Sequence, residues 1–200
     1  MQVTNNKRDK ELFLFAGANG SGKSTLVNDF IEQGMCPSYY ICPDNNLDKR
    51  YKENKGVYIE AMKKAEAQRY NAIAEGRSFS FESVFSTSEK LEFLKYAKSK
   101  DYFITAIYIV TKDPQINIDR IRSRVLSGGH NVPTDKVISR YYKSIKLMAQ
   151  CLEVANTFIL IDNSGDKPIR LLDFNEKLIT FFVERNKLEW LKEYLPKIIQ

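Results

Sequence analysis

The 200-residue chain has one histidine, three cysteines and one tryptophan. A single histidine, His130, excludes a metal site built from several imidazoles. It leaves a Ser-His-Asp hydrolase with one base, and the chain has no Gly-x-Ser-x-Gly elbow to serve it. Cys36, Cys42 and Cys151 form no Cys-x-x-Cys pair, and an odd number argues against a disulfide framework, so free thiols are expected. No apolar run approaches the roughly 20 residues of a membrane span. Residues 1–10 are polar, unlike a secretory signal, so a flexible tail and a cytoplasmic protein are expected. There is no dense basic block and no basic repeat studded with aromatics. The net charge of +6 is therefore read as solvated surface plus a phosphate site, with neither nucleic acid nor membrane expected as partner. A content of 43% hydrophobic and 28% charged residues suits one globular domain over residues 1–200.

What is present is concentrated in one stretch. Leu12–Ala16 is a short apolar run that reads as a buried strand. Gly17-Ala18-Asn19-Gly20-Ser21-Gly22-Lys23-Ser24 follows, which is the phosphate-loop pattern, and from Thr25 the apolar residues fall at helical spacing. Strand, glycine-rich loop and helix form the context that this motif requires. Glycines let the backbone approach a phosphate without a Cβ in the way. The N–H groups from about Asn19 to Ser24 then form an anion nest at a helix N-terminus. Lys23 is expected to reach the β- and γ-phosphates, Ser24 to ligate Mg²⁺, and Thr25 to cap or pack. A nucleoside triphosphate with Mg²⁺ is the expected ligand.

Beyond this stretch, strand patterns alternate with helical ones. Strands are expected at 39–42, 78–82, 102–110 and 157–161, and helices to about 33 and over 57–75, 90–100, 113–126 and 136–155. The helix over 57–75 is expected to turn Ile59, Met62, Ala65 and Ala72–Ala74 to one side, inward, and Lys63, Lys64, Glu66 and Arg69 to the other. This alternation predicts an α/β fold with a mostly parallel five-stranded sheet and helices on both faces. Residues 170–183 read as an extra strand pair or a strand and helix, and 187–199 as an amphipathic helix ending near Pro196.

In open α/β sheets ligands sit at the carboxyl ends of the strands. Asp44, Glu82 and Asp162 occupy such ends. Asp44 is the candidate base for an acceptor hydroxyl, and capping of the turn 43–46 is its competing role. Glu82 is a candidate for holding the acceptor or the Mg²⁺ water shell. Asp162, in Asp162-Asn-Ser-Gly165, is read as a turn former. Arg120 and Arg124 lie four apart on one helix face and can meet a triphosphate, while Arg122 points elsewhere. Arg140 begins Arg-Tyr-Tyr-Lys-Ser on the next helix, and His130 sits in the glycine-flanked loop between them, where it can order the acceptor.

Taken in order, the phosphate loop, Pro43-Asp44, Phe81-Glu82-Ser83, Arg120-x-x-x-Arg124, Gly128-Gly-His-Asn-Val-Pro133, Arg140-Tyr-Tyr-Lys-Ser144 and Asp162-Asn-Ser-Gly165 resemble the zeta-toxin-like P-loop ATPases, in a short branch of that family. The resemblance runs from Leu12 to Gly165. It implies a P-loop kinase fold with ATP and Mg²⁺ as cofactors. Zeta toxins phosphorylate the amino-sugar part of UDP-N-acetylglucosamine, and a small antitoxin protein blocks their nucleotide site. The resemblance implies Lys23 as phosphate lysine, Asp44 as base, Glu82 as acceptor-site carboxylate, and Arg124 with Arg140 as charge-stabilising arginines. The expected activity is ATP-dependent phosphoryl transfer to a hydroxyl of a small metabolite, a UDP-amino sugar among the candidates. A nucleotide-binding regulatory module without acceptor chemistry is the alternative from another class. A kinase acting on nucleic-acid ends is a third reading, drawing on the pI of 9.1.

Overall fold

The computed structural model describes residues 9–43, 55–129, 131–176 and 178–199. In chain order the strands are β1 (Glu11–Ala16), β2 (Tyr40–Ile41), β3 (Phe79–Ser83), β4 (Phe103–Val110), β5 (Thr157–Asp162), β6 (Ile169–Asn175) and β7 (Leu178–Phe181). The α-helices among the described residues are α1 (Lys23–Glu32), α2 (Lys55–Ala74), α3 (Ser88–Lys98), α4 (Pro114–Leu126) and α5 (Thr134–Val154). Asp113 caps α4, its side chain accepting from Gln115 N at 2.7 Å, and Pro114 opens the first turn, where its missing N–H costs nothing.

The sheet order is β2-β3-β1-β4-β5-β6-β7. The first five strands pair in parallel, as the alternation predicts, and β6 and β7 extend the sheet antiparallel to seven strands. The expected count of five is thus corrected at the C-terminal end, where 170–183 is the strand pair. Short antiparallel strands need only a tight turn between them, so a strand pair suits a segment this brief. β1 lies between β3 and β4, so the chain changes direction across it. The crevice at the carboxyl end of β1 is the topological switch point.

Period-two alternation splits the core. Leu12, Leu14, Ile104, Ala106 and Tyr108 face a large cluster with residues of α2, α3 and α5. Phe15, Ile107, Ile109 and Ile161 face a smaller one with Leu26 and Val27 of α1. A third cluster, Ile118, Ile121, Val132 and Val137, joins α4 to α5, so these two helices pack together as an arm beside the switch point.

Two expectations on helices are corrected. Helix α2 turns Ala65 and Ala72 inward and Lys63, Lys64 and Glu66 outward as expected, but it exposes Ile59 (45%) and Met62 (47%) and buries Arg69 (5%), against the predicted facing of these three. Its inward face carries Ala61, Ala65 and Ala72, small enough for close approach, and the Arg69 guanidinium lies 5.2 Å from the Phe81 ring centroid and 5.7 Å from that of Phe93. An arginine stacked on aromatic faces is buried at tolerable cost. The segment 187–199 is a 3₁₀ turn, Arg185–Leu191, followed by further turns. Leu188, Leu191, Leu195 and Ile199 are buried against the large cluster. Pro196 supplies no N–H to carry a longer α-helix onward.

Inside the large cluster, the Tyr108 hydroxyl donates to Ser144 O at 2.7 Å and lies 3.0 Å from Ser144 Oγ, tying β4 to α5. Burial raises its pKa well above the ordinary phenol range, so it stays a donor at any working pH. Tyr108→Phe is expected to cost about 1–2 kcal/mol, measured as a lower urea midpoint at unchanged slope.

Candidate active site

The phosphate loop is assembled at the end of β1, which stops at Ala16. Gly17 N donates to Ser83 O of the neighbouring strand at 3.2 Å, and Ser21 N turns back to Ala18 O at 3.2 Å. Gly22, at φ 94°, precedes the first residue of α1, and no side chain among the described residues caps that helix. The first N–H groups of a helix have no partner within it, and an anion at this N-terminus would satisfy them. Gly20, at φ +78°, presses on α4: a Cβ added there would lie 2.6 Å from Asn117 O.

Two asparagines brace the loop. Asn117 is fully buried; its Nδ2 donates to Asn19 O at 2.7 Å and its Oδ1 accepts from Thr111 Oγ1 at 2.5 Å. Asn163 Nδ2 donates to Ser21 O at 2.8 Å. Asn163 therefore contacts the loop backbone.

Lys23 is 9% exposed and its Nζ donates to Ala18 O at 2.9 Å, folding the ammonium into the loop. Burial lowers its pKa from the ordinary lysine value; the nearby Glu82 carboxylate opposes that shift and the charge of Arg124 adds to it. The register of β1 on β3 pairs Phe15 with Glu82, which places this carboxylate beside the start of α1. Glu82 Oε2 accepts from Ser24 Oγ at 2.8 Å, and the Cys42 thiol lies 3.7 Å from Oε1. Tyr40 completes the group: burial, with Glu82 and Cys42 beside it, pushes its phenol far above the ordinary range, so the hydroxyl remains protonated. Thr25 is exposed on α1.

The arginines divide as helix geometry dictates. Arg122 pairs on the surface with Asp119 at 3.5 Å. Arg120 Nη2 donates to Gly165 O at 3.2 Å, while its Nη1 is buried without a partner among the described residues. Arg124 is near enough to act on the charge of Lys23, and Gly129 N folds back onto Arg124 O at 2.8 Å. Arg140 reaches across from α5, its Nη1 donating to Asn19 Oδ1 at 3.3 Å.

Asp162 makes a turn, accepting from Ser164 N at 2.9 Å and Ser164 Oγ at 2.5 Å. Asp44 and His130 lie outside the described residues. Asn117 and Thr111, which brace the loop, Tyr141, whose hydroxyl donates to Thr111 O at 2.6 Å, and the Tyr40–Cys42 pair beside Glu82 go unpredicted by motif reading. Asn117 alone carries a signal, as an amide next to Ile118 in the apolar stripe of α4.

No family model matches the chain. An uncharacterised protein of Haemophilus influenzae is 33% identical over 136 residues, which cover 67% of this chain and 94% of that protein. The chain belongs to the family of this Haemophilus protein. Among solved structures, the AvrRxo1-ORF1:-ORF2 complex with ATP superposes at a TM-score of 0.70 and 13% identity, over 98% of this chain and 65% of that one. The chain thus spans somewhat under two thirds of that protein's length. The PezAT chromosomal toxin–antitoxin system of Streptococcus pneumoniae gives a TM-score of 0.62 at 17% identity, over 99% of this chain and 92% of that one. The chain shares the fold of these two structures.

Proposed function

We propose that residues 1–200 form one domain that transfers the γ-phosphoryl group of ATP to a hydroxyl of a small metabolite. The observation that carries this reading is the convergence of Lys23, the Ser24–Glu82 pair and Arg140 on one loop at the switch point of the sheet. A bare nucleotide holder needs the loop and its lysine. It does not need an arginine brought from a separate helix to the place where γ-phosphate charge develops.

In this reading the loop N–H groups from about Asn19 to Ser24 cradle the phosphates, with Thr25 at the edge of the nucleotide site, and Lys23 contacts their outer oxygens. Arg120 offers its unpaired Nη1 to the nucleotide. The likeness to a complex solved with ATP supports ATP as donor. Ser24 and Glu82 present hard oxygen donors suited to Mg²⁺, which when bound neutralises charge between the phosphates. Asp44 takes the acceptor proton, Glu82 and His130 line the acceptor side, and Arg124 and Arg140 stabilise the transferring group. The family resemblance makes a UDP-amino sugar the first acceptor to try. It makes a small antitoxin protein the partner to seek, and of the two structural likenesses one is to an ORF1:ORF2 complex and the other to a toxin–antitoxin system.

The test is ADP release from ATP–Mg²⁺ in the presence of hydroxyl-bearing metabolites, UDP-sugars and nucleosides included. One acceptor is expected to accelerate release, and Asp44→Asn to abolish that acceleration by about 10²-fold or more. Equal rates with and without every acceptor, together with tight ATP binding, indicate a regulatory nucleotide-binding module.

A further inference from the structure

We propose that the Asn19 side chain is a positioning group for Arg140, and that the buried Asn117–Thr111–Tyr141 chain sets it in place. The inference rests on the phosphotransferase reading above and assigns the loop a task beyond cradling phosphate.

The geometry forms a closed circuit. Tyr141 is buried on α5 and its Oη donates to Thr111 O at 2.6 Å, just past the end of β4. Thr111 Oγ1 donates to Asn117 Oδ1 at 2.5 Å, and Asn117 Nδ2 donates to Asn19 O at 2.7 Å. With a hydroxyl donor on one side and a carbonyl on the other, the Asn117 amide has one satisfied orientation. The Asn19 backbone is held from α4, and its side-chain oxygen accepts from Arg140 Nη1 at 3.3 Å. Arg140 and Tyr141 are neighbours on α5, so one residue ties that helix to the end of β4 while the next reaches the loop.

The chemistry of residue 19 suits this role. A guanidinium has five N–H donors, and the neutral amide occupies one of them without cancelling its charge. The other donors remain for phosphate oxygens. A carboxylate at this position would hold the arginine more firmly but neutralise it. Holding Arg140 before nucleotide arrives lowers the ordering cost of the transition state. Asn19 has an ordinary negative φ, as it is absent from the positive-φ residues, so alanine can replace it without straining the loop.

The experiment is a double-mutant cycle of Asn19→Ala and Arg140→Ala in the full chain, read as steady-state ADP release from ATP–Mg²⁺ at saturating acceptor, or without acceptor if none is found. Thermal melting serves as the fold control. Asn19→Ala is expected to lower kcat about tenfold with less than about threefold change in KM for ATP, and to add nothing in the Arg140→Ala background. A second readout is independent of turnover: rotation of the Arg140 guanidinium about its Cζ–Nε bond, followed by nitrogen NMR, is slow in the parent and fast in Asn19→Ala. If Arg140→Ala slows turnover while Asn19→Ala does not, or if the two effects multiply, the inference is overturned and the phosphotransferase reading stands. If Arg140→Ala leaves turnover unchanged, the arginine's role in transfer fails, and the inference falls with it. Unchanged guanidinium rotation in Asn19→Ala also overturns it.

Discussion

Lys23→Ala is expected to reduce phosphoryl transfer from ATP by about 10²- to 10³-fold, the usual loss when one preorganised charge or donor is removed from a developing anion. Lys23 is 9% exposed, and its ammonium donates to Ala18 O within the loop itself. In the proposed reading it is held inside the loop that cradles the phosphates. Burial lowers its pKa and Arg124 adds to that, so in the free protein this charge is held at a cost that Glu82, and to a lesser extent Cys42, opposes. Removing a desolvated charge of this kind does not weaken the fold in proportion. The variant should therefore melt at or above the parent's temperature without nucleotide, and lose most of the stabilisation that ATP–Mg²⁺ gives the parent. Parallel loss of stability and activity would point to a structural lysine and contradict the assignment.

Gly17→Ala carries the largest expected effect on the fold. Gly17 has φ +147°, and a Cβ there would lie 2.2 Å from Ile109 O and 2.8 Å from Ser21 Oγ. The first of these is a backbone oxygen of β4, which is paired on both sides in the centre of the sheet and cannot move alone. A loss of about 3 kcal/mol or more is expected in urea unfolding, together with loss of ATP binding. Gly34→Ala is the matched control. Gly34 also has a positive φ, of +66°, but an added Cβ there meets nothing within 4 Å. That change should cost about 1 kcal/mol, the ordinary penalty of a left-handed residue with a side chain. Similar losses at the two glycines would contradict the view that the loop is pressed against β4.

The parts of the molecule legible from sequence are those fixed by short-range rules. The strand–loop–helix of the phosphate site follows from glycine placement and periodicity, and β1 and α1 lie where those rules put them. The facing of Arg122 away from Arg120 and Arg124 follows from helix geometry, and the turn at Asp162 from its Asp-Asn-Ser-Gly composition. What depends on tertiary packing was illegible. Burial of Arg69 needs the rings of Phe81 and Phe93 brought from two other elements. The brace on the loop needs Asn117, a residue 98 positions from its partner Asn19. Glu82 is visible as a strand-end carboxylate, but its approach to Ser24 depends on the β1–β3 register, which no local pattern encodes. The amphipathic spacing of 187–199 is real, and its leucines are buried; the same spacing is met by 3₁₀ turns wrapped on the core.

The central claim is that the loop, Glu82 and the arginine-bearing arm together move a phosphoryl group to an acceptor. It is tested most directly by incubating the protein with γ-labelled ATP and Mg²⁺ and a panel of UDP-sugars, nucleosides and other hydroxyl-bearing metabolites, and following where the label goes. The account predicts label in one acceptor, with the signal lost in Lys23→Ala and in Asp44→Asn. Label released only as inorganic phosphate, at a rate that Asp44→Asn does not alter, would contradict it.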